Sequence, residues 1–232
     1  MIPTSIADPA RLVASLDAQG WALIPGLLSA TECTVLAESY GDDRQFRSRI
    51  VMARHGFGQG HYAYFAYPLP SIVQRLRETL YPLLVPTARA WAARLGLPDE
   101  LPAEHAAYRA MCHAAGQTRP TPLMLRYGEG DYNCLHQDLY GAIAFPLQVA
   151  VLLSRPGDDF DGGEFVLTEQ RPRMQSRVTV VPLGLGDAVV FAVNHRPVRG
   201  GKGDYRVTMR HGVSPIRQGN RHTLGIIFHD AH

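Results

Sequence analysis

Beyond Gly116, glycine and proline cut the chain into apolar runs too short for helices, and no other feature restricts the fold as much. Leu123–Tyr127, Phe145–Leu153, Glu164–Leu167, Arg177–Val181, Ala188–Val193 and Thr223–Phe228 are strand candidates rich in β-branched and aromatic residues. Turn signals at Gly128–Gly130, Pro156–Gly163 and Gly184–Asp187 separate them. They recur too soon for a long crossover helix after each strand, so an antiparallel sandwich or jelly roll fits better than a parallel sheet.

The first half reads differently. A helix is expected over residues 8 to 19, then a short buried strand at Trp21–Ile24 and a turn at Pro25-Gly26. Ser29 and Glu32 have capping-box spacing and predict the start of a helix running towards Tyr40. From Ser71 to Leu95, the residues Val73, Leu76, Leu80, Leu84, Ala88 and Trp91 recur at helical spacing, with Pro82 and Pro86 expected to interrupt or kink the stripe. A shorter helix is expected over 99–114. The fold class predicted is α+β with a mainly β core: one domain over 1–232, with a helical support region over 1–115 and the β core over 116–232.

At 232 residues and 46% hydrophobic, the chain can bury one substantial core. Cys33, Cys112 and Cys134 form no CxxC pair and read as free thiols, and no run of 18 apolar residues exists to span a membrane. A soluble cytoplasmic protein is the expectation. The formal charge of +2 conceals an asymmetry, since Arg171 to Arg221 holds ten Arg or Lys residues against Asp187 and Asp204. That concentration could contact phosphates, form a solvated surface or bind an acidic metabolite.

The sharpest chemical signal is His136-Gln137-Asp138, which places an imidazole and a carboxylate on one side of an extended chain. Alone, H-x-D is also an ordinary histidine beside a turn carboxylate. His211, carried round by a closed sheet, would complete a set of two histidines and one carboxylate. That set suits non-haem Fe(II), because it leaves coordination positions open for a cosubstrate and oxygen. Zinc with an activated water is the metal alternative.

His136, Asp138 and His211, followed ten residues later by Arg221, resemble the iron(II)/2-oxoglutarate-dependent dioxygenase superfamily and its prolyl hydroxylase-like branch. The resemblance covers about Thr121 to Asp230 and implies a double-stranded β-helix, a distorted jelly roll, braced by N-terminal helices. It implies Fe(II) held by His136, Asp138 and His211, with the distal carboxylate of 2-oxoglutarate gripped by Arg221 through two hydrogen bonds. A surface ion pair is the competing role for Arg221. Tyr127 resembles an upstream tyrosine that helps bind 2-oxoglutarate, and equally suits a core. Thr223 would reinforce Arg221 from the same strand face, or sit there for its β propensity alone.

Three further stretches, Asn133–Gly141, Gly162–Phe165 and Arg210–Ser214, resemble a bacterial oxygenase family proposed to act oxidatively on damaged DNA. The activity implied is oxidative decarboxylation of 2-oxoglutarate, with oxygen, coupled to substrate hydroxylation, including demethylation of alkylated DNA bases. The alternatives are hydroxylation of an amino acid, peptide or other small molecule, zinc-dependent hydrolysis, and a non-enzymatic cupin-like ligand or nucleic-acid-binding module. Tyr62 and Tyr64, within an aromatic stretch from Phe57 to Tyr67, are candidates for a stacking wall or for packing of the helical cap. Arg206 and Arg210 are candidates for substrate or phosphate contacts or for ion pairs.

Overall fold

The structure, a computed structural model, describes residues 8–232. Two antiparallel sheets face each other, with helices packed on the outer face of the larger one. Helix α1 (Pro9–Gln19) leads into strand β1 (Trp21–Ile24), and helix α2 (Ala30–Ser39) begins at the expected capping box. There Ser29 Oγ accepts from the Glu32 amide at 3.2 Å while the Glu32 carboxylate accepts from the Ser29 amide at 2.9 Å. Strands β2 (Phe46–Val51), β3 (Gly58–Gln59) and β4 (His61–Phe65) precede helix α3 (Ser71–Arg94) and helix α4 (His105–Ala114).

Helix α3 runs through both prolines. Each forfeits one backbone bond, but the predicted stripe from Val73 to Trp91 is buried against the sheet, and that burial holds the helix together. Helix α4 starts six residues later than residue 99, because Pro98 and Pro102 keep their neighbours extended. The helical support region expected over 1–115, with its strand at Trp21–Ile24, also carries β2, β3 and β4. In β4, Ala63 and Phe65 face the helices while Tyr62 and Tyr64 face the other way, a period of two hidden because aromatic residues occur on both faces. The aromatic stretch is therefore partly sheet, with Phe65 packed towards the helices and Tyr62 towards the cavity.

The second half supplies β5 (Leu123–Tyr127), β6 (Tyr132–His136), β7 (Leu147–Leu152), β8 (Phe160–Gly162), β9 (Phe165–Gln170), β10 (Arg177–Val181), β11 (Ala188–Ala192), β12 (His195–Gly200), β13 (Gly203–Val213), β14 (Ile216–Gly219) and β15 (Arg221–Ile226). All six predicted runs are strands. Strands β6, β8, β12, β13 and β14 are additional, and their polar or glycine-rich sequences gave no apolar run to find.

The larger sheet has the order β1-β11-β7-β15-β5-β4-β2, and the smaller has β10-β9-β13-β6-β3, with β12 also paired to β13. Alternation splits the large sheet's side chains between two cores. Leu147, Val149, Val151, Leu224 and Ile226 pack under the helices, while Ala150, Leu152, Thr223 and Gly225 face the small sheet. Among the described residues no helix is long and apolar enough to cross a membrane.

Candidate metal centre

The small sheet brings the three predicted ligands together. Strand β13 pairs with β6 so that His211 lies directly opposite His136, and Asp138 follows just beyond the end of β6. The His136 and His211 rings are 4.1 Å apart between centroids, and each Nε2 is 3.4 Å from an oxygen of Asp138. One donor atom from each residue lies within 4.8 Å of the other two. Two imidazoles and one carboxylate in that arrangement can occupy one side of a single divalent ion.

Neighbouring groups fix the donors. His136 Nδ1 is 2.8 Å from the Cys134 carbonyl, so Nδ1 carries a proton, and Nε2, which faces Asp138, is the nitrogen that would meet a metal once its own proton is displaced. Gln137, between the two ligands, donates to the Met209 carbonyl at 2.8 Å and to the Asn194 carbonyl at 3.2 Å, which ties the loop to β13. The Tyr140 hydroxyl donates to Asp138 Oδ1 at 2.9 Å and accepts from the Tyr64 hydroxyl at 3.1 Å.

Burial alone would raise the Asp138 pKa, but hydrogen bonds from His136 and His211 outweigh it and hold the carboxyl well below the usual range. Burial, then the charge of His136, pulls His211 down. An anionic carboxylate with a readily neutral imidazole is the protonation state that a metal ion needs.

These residues line one wall of a cavity of about 230 Å³ between the sheets. Its closed end belongs to Arg221, Tyr127 and Thr223. Arg221 is buried, donates to Thr223 Oγ1 at 2.5 Å, and lies 5.8 Å over the Tyr127 ring and 5.7 Å over the Phe160 ring. Its Nε and the Tyr127 hydroxyl have no hydrogen-bond partner, and no carboxylate among the described residues pairs with it. Burial lowers the Arg221 pKa to about 10, which leaves the guanidinium charged at neutral pH. A buried cation with unused donors fits a carboxylate ligand.

Of the other predicted residues, Tyr62 lines the cavity, whereas Tyr64 lies behind it, bonded to Tyr140 and covered by the Arg47 guanidinium at 4.5 Å. Arg206 and Arg210 do not reach the site. Both are exposed on β13, and Arg210 adjoins His211, so its side chain leaves from the opposite face of the sheet. The sequence reading missed Tyr140 and Gln137, although both lie within two residues of a predicted ligand, and it missed Gln148 and Phe191 on the large sheet. The lip of the cavity carries Leu139 and Phe57, both exposed, with Phe57 stacked on His55 at 5.3 Å.

Residues 60–231 match the Oxygenase-NA family, described as an oxygenase catalysing oxidative methylation of damaged DNA. An uncharacterized protein of Mycobacterium tuberculosis, found in two strains, is 52% identical over 167 residues, covering 72% of each chain. Among solved structures, a Pseudomonas putida prolyl-4-hydroxylase aligns over 97% of this chain and 100% of its own, with 16% identity and a TM-score of 0.52. An oxidoreductase of the 2-oxoglutarate/Fe(II) oxygenase family from Burkholderia pseudomallei aligns over 97% and 92%, with 16% identity and a TM-score of 0.54. The non-haem α-ketoglutarate-dependent epimerase SnoN of nogalamycin biosynthesis aligns over 95% and 82%, with 18% identity and a TM-score of 0.53. At these identities the structural likeness establishes the fold, the double-stranded β-helix of 2-oxoglutarate/Fe(II) oxygenases.

Proposed function

The chain belongs to the Oxygenase-NA family of oxygenases, and from that premise we propose that it is an Fe(II)- and 2-oxoglutarate-dependent dioxygenase acting on a methylated nucleobase in DNA. One observation carries the cosubstrate assignment: Arg221, buried and without an anion, shares a cavity with three metal-type donors. His136, Asp138 and His211 would hold Fe(II), and Arg221, with Thr223 and Tyr127, would hold the distal carboxylate of 2-oxoglutarate. Membership of an oxygenase family sets aside the zinc hydrolase and the non-enzymatic module.

Together, bound iron and 2-oxoglutarate supply an oxidative decarboxylation that places one atom of O₂ in succinate, releases carbon dioxide and inserts the other atom into a substrate C–H bond. Arg221 binds and orients without moving a proton. Tyr140 restrains Asp138, and Phe165 and Phe191 keep water from the His211 side. When the C–H bond belongs to an N-methyl group, the hydroxymethyl product releases formaldehyde and restores the N–H.

The family's description supports a nucleobase substrate, as does the lip, where the Phe57–His55 stack and Leu139 offer a flat apolar surface to a base taken out of its stack. Hydroxylation of a small molecule or peptide is the second reading, favoured by the fate of the basic run. Arg171, Arg177 and Arg196 converge on Glu169, Arg199 pairs with Asp204, and Arg217 pairs with Glu164, so much of that charge is neutralised within the chain.

The test is anaerobic loading with Fe(II) and 2-oxoglutarate, then oxygen in the presence of methylated single-stranded DNA, methylated duplex, free amino acids or peptides. Succinate with stoichiometric formaldehyde from the DNA arms is expected. Substrate-stimulated succinate confined to the amino-acid or peptide arms would replace the nucleobase reading with the second one, and protein that binds neither metal nor 2-oxoglutarate would overturn both.

A further inference from the structure

We propose that Gln148 is a second cosubstrate-binding residue, whose side-chain amide donates to the C1 carboxylate of 2-oxoglutarate at the end of the molecule remote from Arg221. The inference rests on the cosubstrate reading above. Strand β7 is buried at every position, and all its residues are apolar except Gln148. Gln148 is 4% exposed, lines the cavity, and has no hydrogen-bond partner for its Nε2. An amide left unsatisfied inside a protein is destabilising, and a residue of the same shape without polar atoms would be favoured there unless a ligand completes the bond.

Sheet register places this amide at the level of the metal ligands. The cavity-facing residues of the large sheet form successive layers: Tyr127 opposite Arg221, then Leu125 and Leu152 flanking Thr223, then Leu123 and Ala150 flanking Gly225. Gln148 is the next cavity-facing residue of β7 beyond Ala150, opposite Phe191 of β11. The Phe191 ring lies 4.6 Å from the His211 ring. Alternate residues of a strand stand roughly 7 Å apart, and the Arg221 side chain reaches up from the first layer to its bond with Thr223 in the second. The Leu123 side chain lies over Gly225, and Ala150 beside it projects little into the cavity. A five-carbon diacid with one carboxylate on Arg221 would pass along the Ala150 side, bringing its keto-acid end towards the layer of Gln148 and His211.

The buried position of Gln148 selects the cosubstrate over the substrate. A substrate arriving past the exposed Phe57 and Leu139 meets the metal ligands from the lip, whereas Gln148 belongs to the enclosed wall beside Phe191. A neutral donor also suits a site already holding one buried guanidinium, since it adds a hydrogen bond without a second unpaired charge.

Succinate lacks C1 and carries a carboxylate where 2-oxoglutarate has its C2 ketone, so it keeps the end that Arg221 would hold and loses the carboxylate predicted to meet Gln148. Calorimetric affinities of both acids are measured for Mn(II)-loaded protein, for Gln148→Met, which is close in shape, and for Gln148→Glu, with thermal melts confirming folding. Gln148→Met is expected to weaken 2-oxoglutarate about tenfold or more and to leave succinate within twofold, with a larger loss of 2-oxoglutarate for Gln148→Glu. Arg221→Lys is expected to weaken both acids. Equal losses for the two acids, or unchanged 2-oxoglutarate affinity in a folded Gln148→Met protein, would overturn the role of Gln148 alone. Wild-type protein that binds neither acid would overturn the cosubstrate reading and this inference with it.

Discussion

Two buried arginines show how differently this protein treats a positive charge. Arg77, on α3, donates to the Phe228 carbonyl at 2.7 Å, to Asp230 Oδ1 at 2.9 Å and to the Tyr67 hydroxyl at 3.1 Å. Asp230 in turn accepts from Tyr67 and is 2.8 Å from His113 Nε2. Arg221 is just as buried, yet its one partner is a threonine hydroxyl and it has no anion. The first charge is compensated within the chain and ties the C-terminal segment to the helices. The second is held without its counter-charge, at a cost in stability, and a carboxylate ligand would supply the missing anion.

The largest effect separating the two regions is expected from acid. His105 bonds to the Phe228 carbonyl and His229 accepts from the Phe145 amide, both close to the Arg77 cluster. Burial, then the charge of Arg77, lowers both histidines from 6.5 to about 4. Between those pH values the unfolded chain binds protons that the native state does not, so stability is complete above about 6.5 and falls as the pH drops. The loss is about 1.4 kcal/mol per pH unit for each histidine. Urea titrations at pH 7, 6 and 5 should show this slope, and the His105→Gln/His229→Gln protein should flatten it. A wild-type protein equally stable at pH 7 and 5 would refute the account.

Next comes a direct exchange of the two charges for apolar side chains. Arg77→Met leaves Asp230 buried without its cation and should cost about 3–5 kcal/mol. Arg221→Met removes an uncompensated charge, so its stability should equal or exceed that of wild type, while 2-oxoglutarate affinity falls about 100-fold. Similar destabilisation of both variants in chemical denaturation would abolish the distinction drawn here.

The smallest effect tests whether Asp138 at the candidate metal centre is held by its neighbours as Asp230 is held in the Arg77 cluster. Tyr140→Phe removes the hydroxyl that occupies Asp138 Oδ1, and metal affinity should fall by about tenfold with folding intact. Competition with a chelating dye would read it, and unchanged affinity would make Tyr140 a packing residue.

Much of this was legible in the chain, and the rest was hidden for definable reasons. The H-x-D pair lies at the end of one strand, and the step from His211 in β13 to Arg221 at the start of β15 is only ten residues, so both can be read locally. Period-two alternation brings Thr223 to the face of Arg221, and the same rule applied from His211 removes Arg210 from the pocket. Gln148 left a trace, a polar residue inside an apolar run, but only the register of β7 against β11 connects it to the metal. The partnership of Arg77 with Asp230 spans 153 residues and has no local signature. Strand β4 gave no alternating signal because aromatic residues occupy both of its faces.

The order of the large sheet also bears on how the protein is made. Its middle is β15, the last of the described strands, while β1 and β2, the first two of them in chain order, occupy its opposite edges. A growing chain therefore synthesises the rims long before the centre, and neither rim has its final neighbour until β11 in one case and β4 in the other has appeared. The two halves cannot join across the middle until residues 221–226 are available. Unpaired strand edges are where incomplete chains pair with neighbours, so the sheet is closed against that hazard by the same strand that carries Arg221 and Thr223.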